Sequence, residues 1–305
     1  MNNKDILIIG AGIAGISAAI YLKRSNKDFV ILDKGAPGGK LNNIHLIENY
    51  PGYTSISGPD LAMALFSQIT SLGCEVEYGN VLQIKQVGKD FEVYTDNGDY
   101  HVKAIIIATG VINKVLGIPG EKAFLGKGVS YCGTCDGNFY RNKVISVYGN
   151  NDHVVSEVAY LASLASELNF IIPENKCFTE DLGNSLKQFS NIHIYENAKL
   201  LSINGAEKVE SIEILYNENK VVLPTSAIFP LFGEESSTDF LRDLNIELNR
   251  SFIKVNEKMA SSVEGIFAAG DIVDKTLRQA ITASSDGAIA ATSCISYLNR
   301  RKTNE

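Results

Sequence analysis

No stretch of this 305-residue chain stays apolar for the ~20 residues that a helix needs to cross a bilayer; the longest apolar runs have strand length. A basic start followed by a long apolar segment is also missing. Met1-Asn2-Asn3-Lys4 leads straight into a strand pattern, so we expect a cytoplasmic protein with no membrane partner. Cysteine is sparse and scattered. Of Cys74, Cys132, Cys135, Cys177 and Cys294, only Cys132 and Cys135 are close in sequence, which excludes a disulfide framework of the secreted kind. The histidines His45, His101, His153 and His193 lack ligand spacing, and a structural zinc site usually needs four Cys or His ligands, so no metal is expected. Positive charge is not in excess either. A net charge of −7 argues against general nucleic-acid binding, and the basic end Asn299-Arg300-Arg301-Lys302 reads as a solvated tail.

What is present is an ordinary globular composition in a chain longer than one typical domain, which sets two domains as the expectation. The N-terminus reads as strand Asp5–Ile9, a helix from Ile13 to about Arg24, then strand Phe29–Leu32, a βαβ unit. An amphipathic helix over Gly58–Leu72 follows, then strands between Cys74 and Asp99 with turns at Gly79, Gly88 and Asn97-Gly98. A buried strand, Ala104–Ala108, leads into a Gly-, Lys- and Pro-bearing stretch, Val111–Gly128, that reads as a linker. A second βαβ-like unit spans strand Val144–Tyr148, helix Val154–Leu164 and strand Leu168–Ile172. Near the end, strand Gly265–Ala269 precedes a long helix over Thr276–Leu298.

Three segments carry chemistry. Gly10-Ala11-Gly12-Ile13-Ala14-Gly15 follows a strand and opens a helix, the context in which G-x-G-x-x-G becomes informative. Gly10 permits the tight turn, Gly12 lets the backbone approach a pyrophosphate, and Gly15 lets helix and strand pack closely. Asp33 ends the second strand, where its carboxylate can accept from a ribose hydroxyl. The distal signals select FAD as the dinucleotide. Ala108-Thr109-Gly110 closes a buried strand with small residues, and a later strand delivers Gly270-Asp271 toward a ribityl hydroxyl. Arg278-Gln279-Ala280 then opens the last helix, where positive charge would favour a reduced flavin. The third segment is Cys132-Gly133-Thr134-Cys135-Asp136. Two intervening residues allow a small disulfide that exchanges through a mixed disulfide, and Asp136 offers a proton carrier. Half a zinc site and an incidental pair remain the alternatives for a lone C-x-x-C.

With GAGIAG, PGGKL, ENYPG, ATG, CGTCDG and FAAGD…RQA in this order, nearly the whole chain resembles the low-molecular-weight thioredoxin reductases. The resemblance implies an α/β fold of two Rossmann-like, three-layer ββα domains and a homodimer. It implies a discontinuous FAD domain, residues 1–113 and 245–305, interrupted by a central redox domain, 114–244. Carried over, Cys135 faces the flavin, Cys132 attacks the disulfide of thioredoxin, and Asp136 is the acid–base residue. Lys34, Gly38, Gly39, Lys40, Leu41 and Asn49 join the FAD site, as do Gly270, Asp271, Gln279 and Ala280.

The likeness breaks in the central domain. Those reductases bind NADPH there through a second glycine fingerprint and an arginine cluster, whereas this chain has Gly149-Asn150-Asn151-Asp152-His153-Val154. Asn151 stands where the backbone must approach the pyrophosphate, and Val154 replaces a small residue and would push helix from strand. Asp152 adds negative charge or serves as an N-cap. The stretch Pro173-Glu174-Asn175-Lys176-Cys177 holds no arginine for a 2′-phosphate, although Glu174 could hold an NADH ribose. Pro230–Ser236 brings two acids and two bulky residues to the domain's closing strand. These departures resemble the ferredoxin-dependent flavin thioredoxin reductases, so the leading expectation is a reductase fed by ferredoxin. The NAD(P)H-dependent enzyme is the alternative, and a flavin redox sensor without turnover is a second. An acidic ferredoxin would dock on local positive charge, with Lys34, Lys40, Arg300, Arg301 and Lys302 as candidates.

Overall fold

A computed structural model of the chain describes residues 1–174 and 184–304. The chain forms two compact units, Met1–Ile112 with Glu235–Glu305, and Asn113–Glu234. Among the described residues, no helix is long and apolar enough to cross a membrane.

The first unit is built on a sheet in the order Val76–Tyr78, Phe29–Asp33, Asn2–Ile9, Tyr100–Ile107, all parallel. Its central strands read as unbroken apolar runs because both faces are covered. Ile6, Ile8, Ile31 and Ile106 face a core shared with helices Ile13–Arg24, Gly58–Ser71 and Ala280–Asn304. Leu7, Ile9, Val30 and Ile107 point the other way, onto Ile84, Phe91 and Val93 of the antiparallel pair Val81–Val87 and Asp90–Thr95. Tyr100–Ile107 divides its outer edge: Tyr100–Val102 pairs antiparallel with the hairpin, while Ile105–Ile107 pairs parallel with Ile266–Ala268. The same strand therefore ties the C-terminal segment to the N-terminal one.

Small residues let the first and last helices meet. A Cβ on Gly287 would stand 2.1 Å from the Ala14 carbonyl oxygen, so only glycine allows this approach. The last helix differs from its sequence-based bounds at both ends. It begins at Ala280, where Gln279 N donates to Thr282 Oγ1, and it continues through Asn304. The basic end is thus a helical turn and not a loose tail. Another boundary also moves: Phe240, Leu241 and Leu244 are buried in the core of the first unit, so the chain returns to that unit at 235, where the sequence suggested 245.

The second unit has three layers. Its parallel sheet runs Ile192–Glu196, Glu167–Ile172, Val144–Gly149, Ala227–Leu231. Helix Asp152–Leu164 covers one face through Val154, Val158 and Leu161. The antiparallel sheet Lys199–Asn204, Ser211–Tyr216, Asn219–Pro224 covers the other, where Leu200, Ile212 and Ile214 meet Tyr148, Ile171 and Ile228. The chain is accordingly an α/β protein with two Rossmann-like domains. The stretch read as a linker is not a free spacer. Leu116, Ile118 and Phe124 pack on the second core, and a Cβ on Gly120 would stand 1.9 Å from the Ile203 carbonyl oxygen.

Candidate active site

In the first unit the glycine loop lies at the carboxyl end of Asn2–Ile9. Gly10 has φ +104°, and a Cβ there would stand 2.4 Å from the Ala108 carbonyl oxygen, which brings the loop against Ala108-Thr109-Gly110. A Cβ on Gly15 would stand 1.9 Å from Gly10 O. Gly12 is different, with no atom within 4 Å of its Cβ position, and as the N-cap of Ile13–Arg24 it makes no side-chain capping bond. The first turn of that helix holds no acidic residue, so its amides and positive dipole end can receive a phosphate. Asp33 grips the loop. Its Oδ2 accepts from Ala11 N at 2.6 Å and its Oδ1 from Gly35 N at 2.8 Å, which leaves further lone pairs for a ribose hydroxyl. Lys34 beside it is exposed.

Distant residues converge on this loop. Gly38 N donates to Ala11 O at 2.8 Å, and a Cβ on Gly39 would lie 3.4 Å from Gly12 Cα. Leu41 is buried in the helix-side core, and the neighbouring Lys40 Nζ lies 3.9 Å from Asp271 Oδ2. Gly270 has φ +82° and its Cβ position is 2.9 Å from Ala14 Cβ, so the C-terminal Gly-Asp pair joins the first helix. Asn49 Nδ2 donates to Gln279 Oε1 at 3.0 Å. Arg278 is directed at its own chain: it donates to Asp271 O and Val273 O, both at 3.1 Å, and lies 4.0 Å over the Phe252 ring. Its charge orders the turn that ends in Ala280.

The second unit carries the thiols. Cys132 and Cys135 form a disulfide with Cα atoms 5.3 Å apart, spanning the single helical turn Gly133–Asp136. Cys132 caps that turn, its Sγ accepting from Cys135 N at 3.2 Å. The turn rests on helix Asp152–Leu164 so closely that a Cβ on Gly133 would be displaced by Glu157 Oε2, and one on Gly137 by Leu161. Asp136 follows directly, half-buried. Tyr140 nearby has its phenol pKa raised, first by burial and then by the Asp136 charge.

The loop that resembles a second nucleotide site is ordered by its own residues. Asn151 is the N-cap, its Oδ1 accepting from Val154 N at 3.2 Å, where Asp152 was an expected candidate. Val154 is fully buried, and a Cβ on Gly149 would meet its Cγ2 at 2.4 Å. The valine therefore fills the notch that Gly149 leaves and does not push the helix away. Asn175, Lys176 and Cys177, in the stretch where a 2′-phosphate contact would lie, are outside the described residues. Of the basic groups considered for a docking face, Arg301 is spent on the fold. It donates to Asp90 Oδ1 at 2.7 Å and to the carbonyls of Lys89 and Lys103, at 13% side-chain exposure. Arg300 and Lys302 are exposed on the same helical turn.

Sequence reasoning missed Glu121, Tyr131, Glu157, Lys275 and Asp286. Asp286 is buried, receives Gly270 N at 3.1 Å and pairs with Lys275 Nζ at 2.6 Å, fixing the Gly-Asp turn. No spacing rule marks these residues, since each partner is distant or lies in irregular chain.

The pyridine nucleotide-disulphide oxidoreductase family matches residues 4–287. A thioredoxin reductase of Bacillus subtilis is 36% identical, covering 96% of this chain and 94% of the relative. Among solved structures, a thioredoxin reductase from Streptococcus pyogenes is 36% identical with a TM-score of 0.93, covering 98% of this chain and 99% of the other. A ferredoxin-flavin thioredoxin reductase from Clostridium acetobutylicum is 29% identical with a TM-score of 0.55, covering 98% and 99%.

Proposed function

This chain belongs to the pyridine nucleotide-disulphide oxidoreductase family, and from that premise we propose that it works as a thioredoxin reductase. Members of this family are FAD flavoproteins, and FAD is the cofactor of this chain. The first unit fits it, with an uncapped helix start at Gly12, backbone free of Cβ atoms at Gly10, Gly12 and Gly15, and Asp33 beside the loop. The observation that carries the reading is the closed Cys132–Cys135 disulfide with a carboxyl group one residue further on.

FAD, when bound, supplies the electron pair that opens this disulfide. Asp136 holds the proton that the departing thiolate takes up. The Cys132 thiolate attacks the thioredoxin disulfide to form a mixed disulfide, and Cys135 then displaces the reduced thioredoxin and restores the intramolecular bond. Protein pre-reduced with dithionite should reduce thioredoxin in a single turnover, and Cys135→Ser should abolish the release step. If the wild-type protein leaves thioredoxin oxidised, a flavin redox sensor becomes the better account.

The family description, which names a pyridine nucleotide, and the relatives at 36% identity back an NAD(P)H donor better than the ferredoxin donor expected from the sequence. One specific observation keeps ferredoxin as the second reading: Asn151 caps the helix at the loop where a nicotinamide dinucleotide would bind, and Val154 fills its notch. A flavin can take single electrons in turn and hand on a pair, so either donor satisfies the chemistry. Anaerobic mixing with NADPH, NADH or reduced ferredoxin, followed by flavin absorbance, separates them. Rapid stoichiometric bleaching by NADPH or NADH supports the first reading; bleaching by ferredoxin alone supports the second. A homodimer, carried by the resemblance, is tested by sedimentation of the FAD-loaded protein.

A further inference from the structure

Glu121 is a carboxylate almost wholly removed from water, at 1% exposure, yet it lies in the irregular segment before the cysteine turn. It accepts three hydrogen bonds. Oε1 takes Leu116 N at 2.9 Å and the Tyr131 hydroxyl at 2.8 Å, and Oε2 takes Gly117 N at 2.7 Å. A buried carboxylate needs such donors, and here one of them belongs to the residue preceding Cys132. Burial, followed by the hydrogen bond to Glu121, holds the Tyr131 phenol pKa well above its usual value, so its hydroxyl remains a donor through the neutral range.

The chain entering Cys132 has a second upstream anchor at Ser130. Ser130 N donates to Ile228 O at 3.2 Å, and Cys132 N donates to Ser130 Oγ at 3.1 Å. Beyond Cys132, the turn Gly133–Asp136 is tied back to it by the disulfide and by the Cys135 N contact to Sγ. When the disulfide opens, one of those downstream ties is lost, while the upstream anchors do not depend on it.

We propose that Glu121 is a positioning residue for the redox disulfide, acting through the Tyr131 hydroxyl to hold Cys132 where Cys135 can reach it. The proposal rests on the reading of Cys132 and Cys135 as a redox pair. Closing a disulfide within a chain costs the freedom of both sulfurs, and holding one in advance raises their effective concentration. Loosening Cys132 therefore favours the open dithiol.

The test equilibrates full-length, FAD-loaded protein with glutathione buffers of set ratio, then traps the thiols by alkylation and reads Cys132 and Cys135 by mass. In this exchange the Cys132–Cys135 bond breaks, two glutathione thiols pass their protons to the cysteines, and glutathione disulfide forms. Tyr131→Phe should shift the equilibrium about tenfold toward the dithiol, equivalent to about 30 mV for a two-electron couple. Glu121→Leu, which removes the acceptor of the Tyr131 hydroxyl, should shift the equilibrium in the same direction, and adding Tyr131→Phe to it should change the equilibrium by less than about twofold, because the bond between the two is already gone. Tyr131→Phe keeps the ring and the buried carboxylate, so it carries the test if Glu121→Leu does not fold. A Tyr131→Phe equilibrium within about twofold of wild type overturns the proposal. So does a double variant whose shift is the product of the two singles. Thioredoxin is absent from the assay, so failure of the reductase reading shows separately as a wild-type protein that exchanges with glutathione but leaves thioredoxin oxidised.

Discussion

Gly15 shows how much a single missing Cβ decides. Its Cβ position lies 1.9 Å from a backbone oxygen, an atom that cannot swing aside as the end of a side chain can. Gly15→Ala should cost about 1–3 kcal/mol, as overpacking does, and the purified protein should carry less flavin by absorbance. Gly88 provides the control. It sits in the turn between Val81–Val87 and Asp90–Thr95 with φ +63° and no atom within 4 Å of its Cβ position, so Gly88→Asn should retain the flavin. At this scale the GAGIAG string was legible, because the spacing of its glycines between a strand and a helix is itself the signal. Glu121 and Tyr131 were not, because their pairing forms only where the irregular segment before the cysteines packs on the second core.

The strand–turn–helix elements repeat within the chain, but their turns are finished differently. In the first, Gly12 leaves the helix start uncapped; in the second, Asn151 caps it and Val154 seals the strand contact. The strand–turn–helix frame therefore occurs twice, and sequence spacing marked both copies, while the capping and packing of each turn are set by the side chains that meet there. The helix ending the chain illustrates the reverse. Its start was read at Thr276, but Arg278 is drawn onto the carbonyls of Asp271 and Val273, which delays the helix to Ala280. The preceding turn depends on the ion pair of Asp286 and Lys275, both largely buried. Asp286→Asn should lower stability by about 1–3 kcal/mol, since it leaves the lysine without its counter-charge. Flavin release should become several-fold faster, because Gly270 loses a charged acceptor. Thermal unfolding of the FAD-free protein and flavin fluorescence on dilution measure the two effects.

At the scale of the whole molecule, the two units have separate cores. One holds Ile6, Ile31 and Phe267 in a single cluster; another holds Val147, Val158 and Phe229. A fragment spanning Asn113–Glu234 should therefore unfold cooperatively in urea, followed by circular dichroism, with its disulfide closed. Met1–Ile112 alone should not, because strand Ile266–Ala268 and helix Ala280–Asn304 complete its sheet and core from the far end of the chain. A non-cooperative Asn113–Glu234 fragment would show that the second unit borrows its stability from the first.

The sequence by itself determined the α/β alternation, the glycine loop, the thiol pair and the loss of glycines at the second loop. These are written in local periodicity and in residues whose steric or chemical demands act within a few positions. Only the tertiary structure decided which of those residues meet. Gly270 against Ala14, Asn49 with Gln279 and Lys40 near Asp271 join positions from opposite ends of the chain. It also turned an apparent linker into a packed segment with a buried carboxylate behind the cysteines. Such contacts arise from the register of the sheets and the closeness of helices, and no spacing along the chain encodes either.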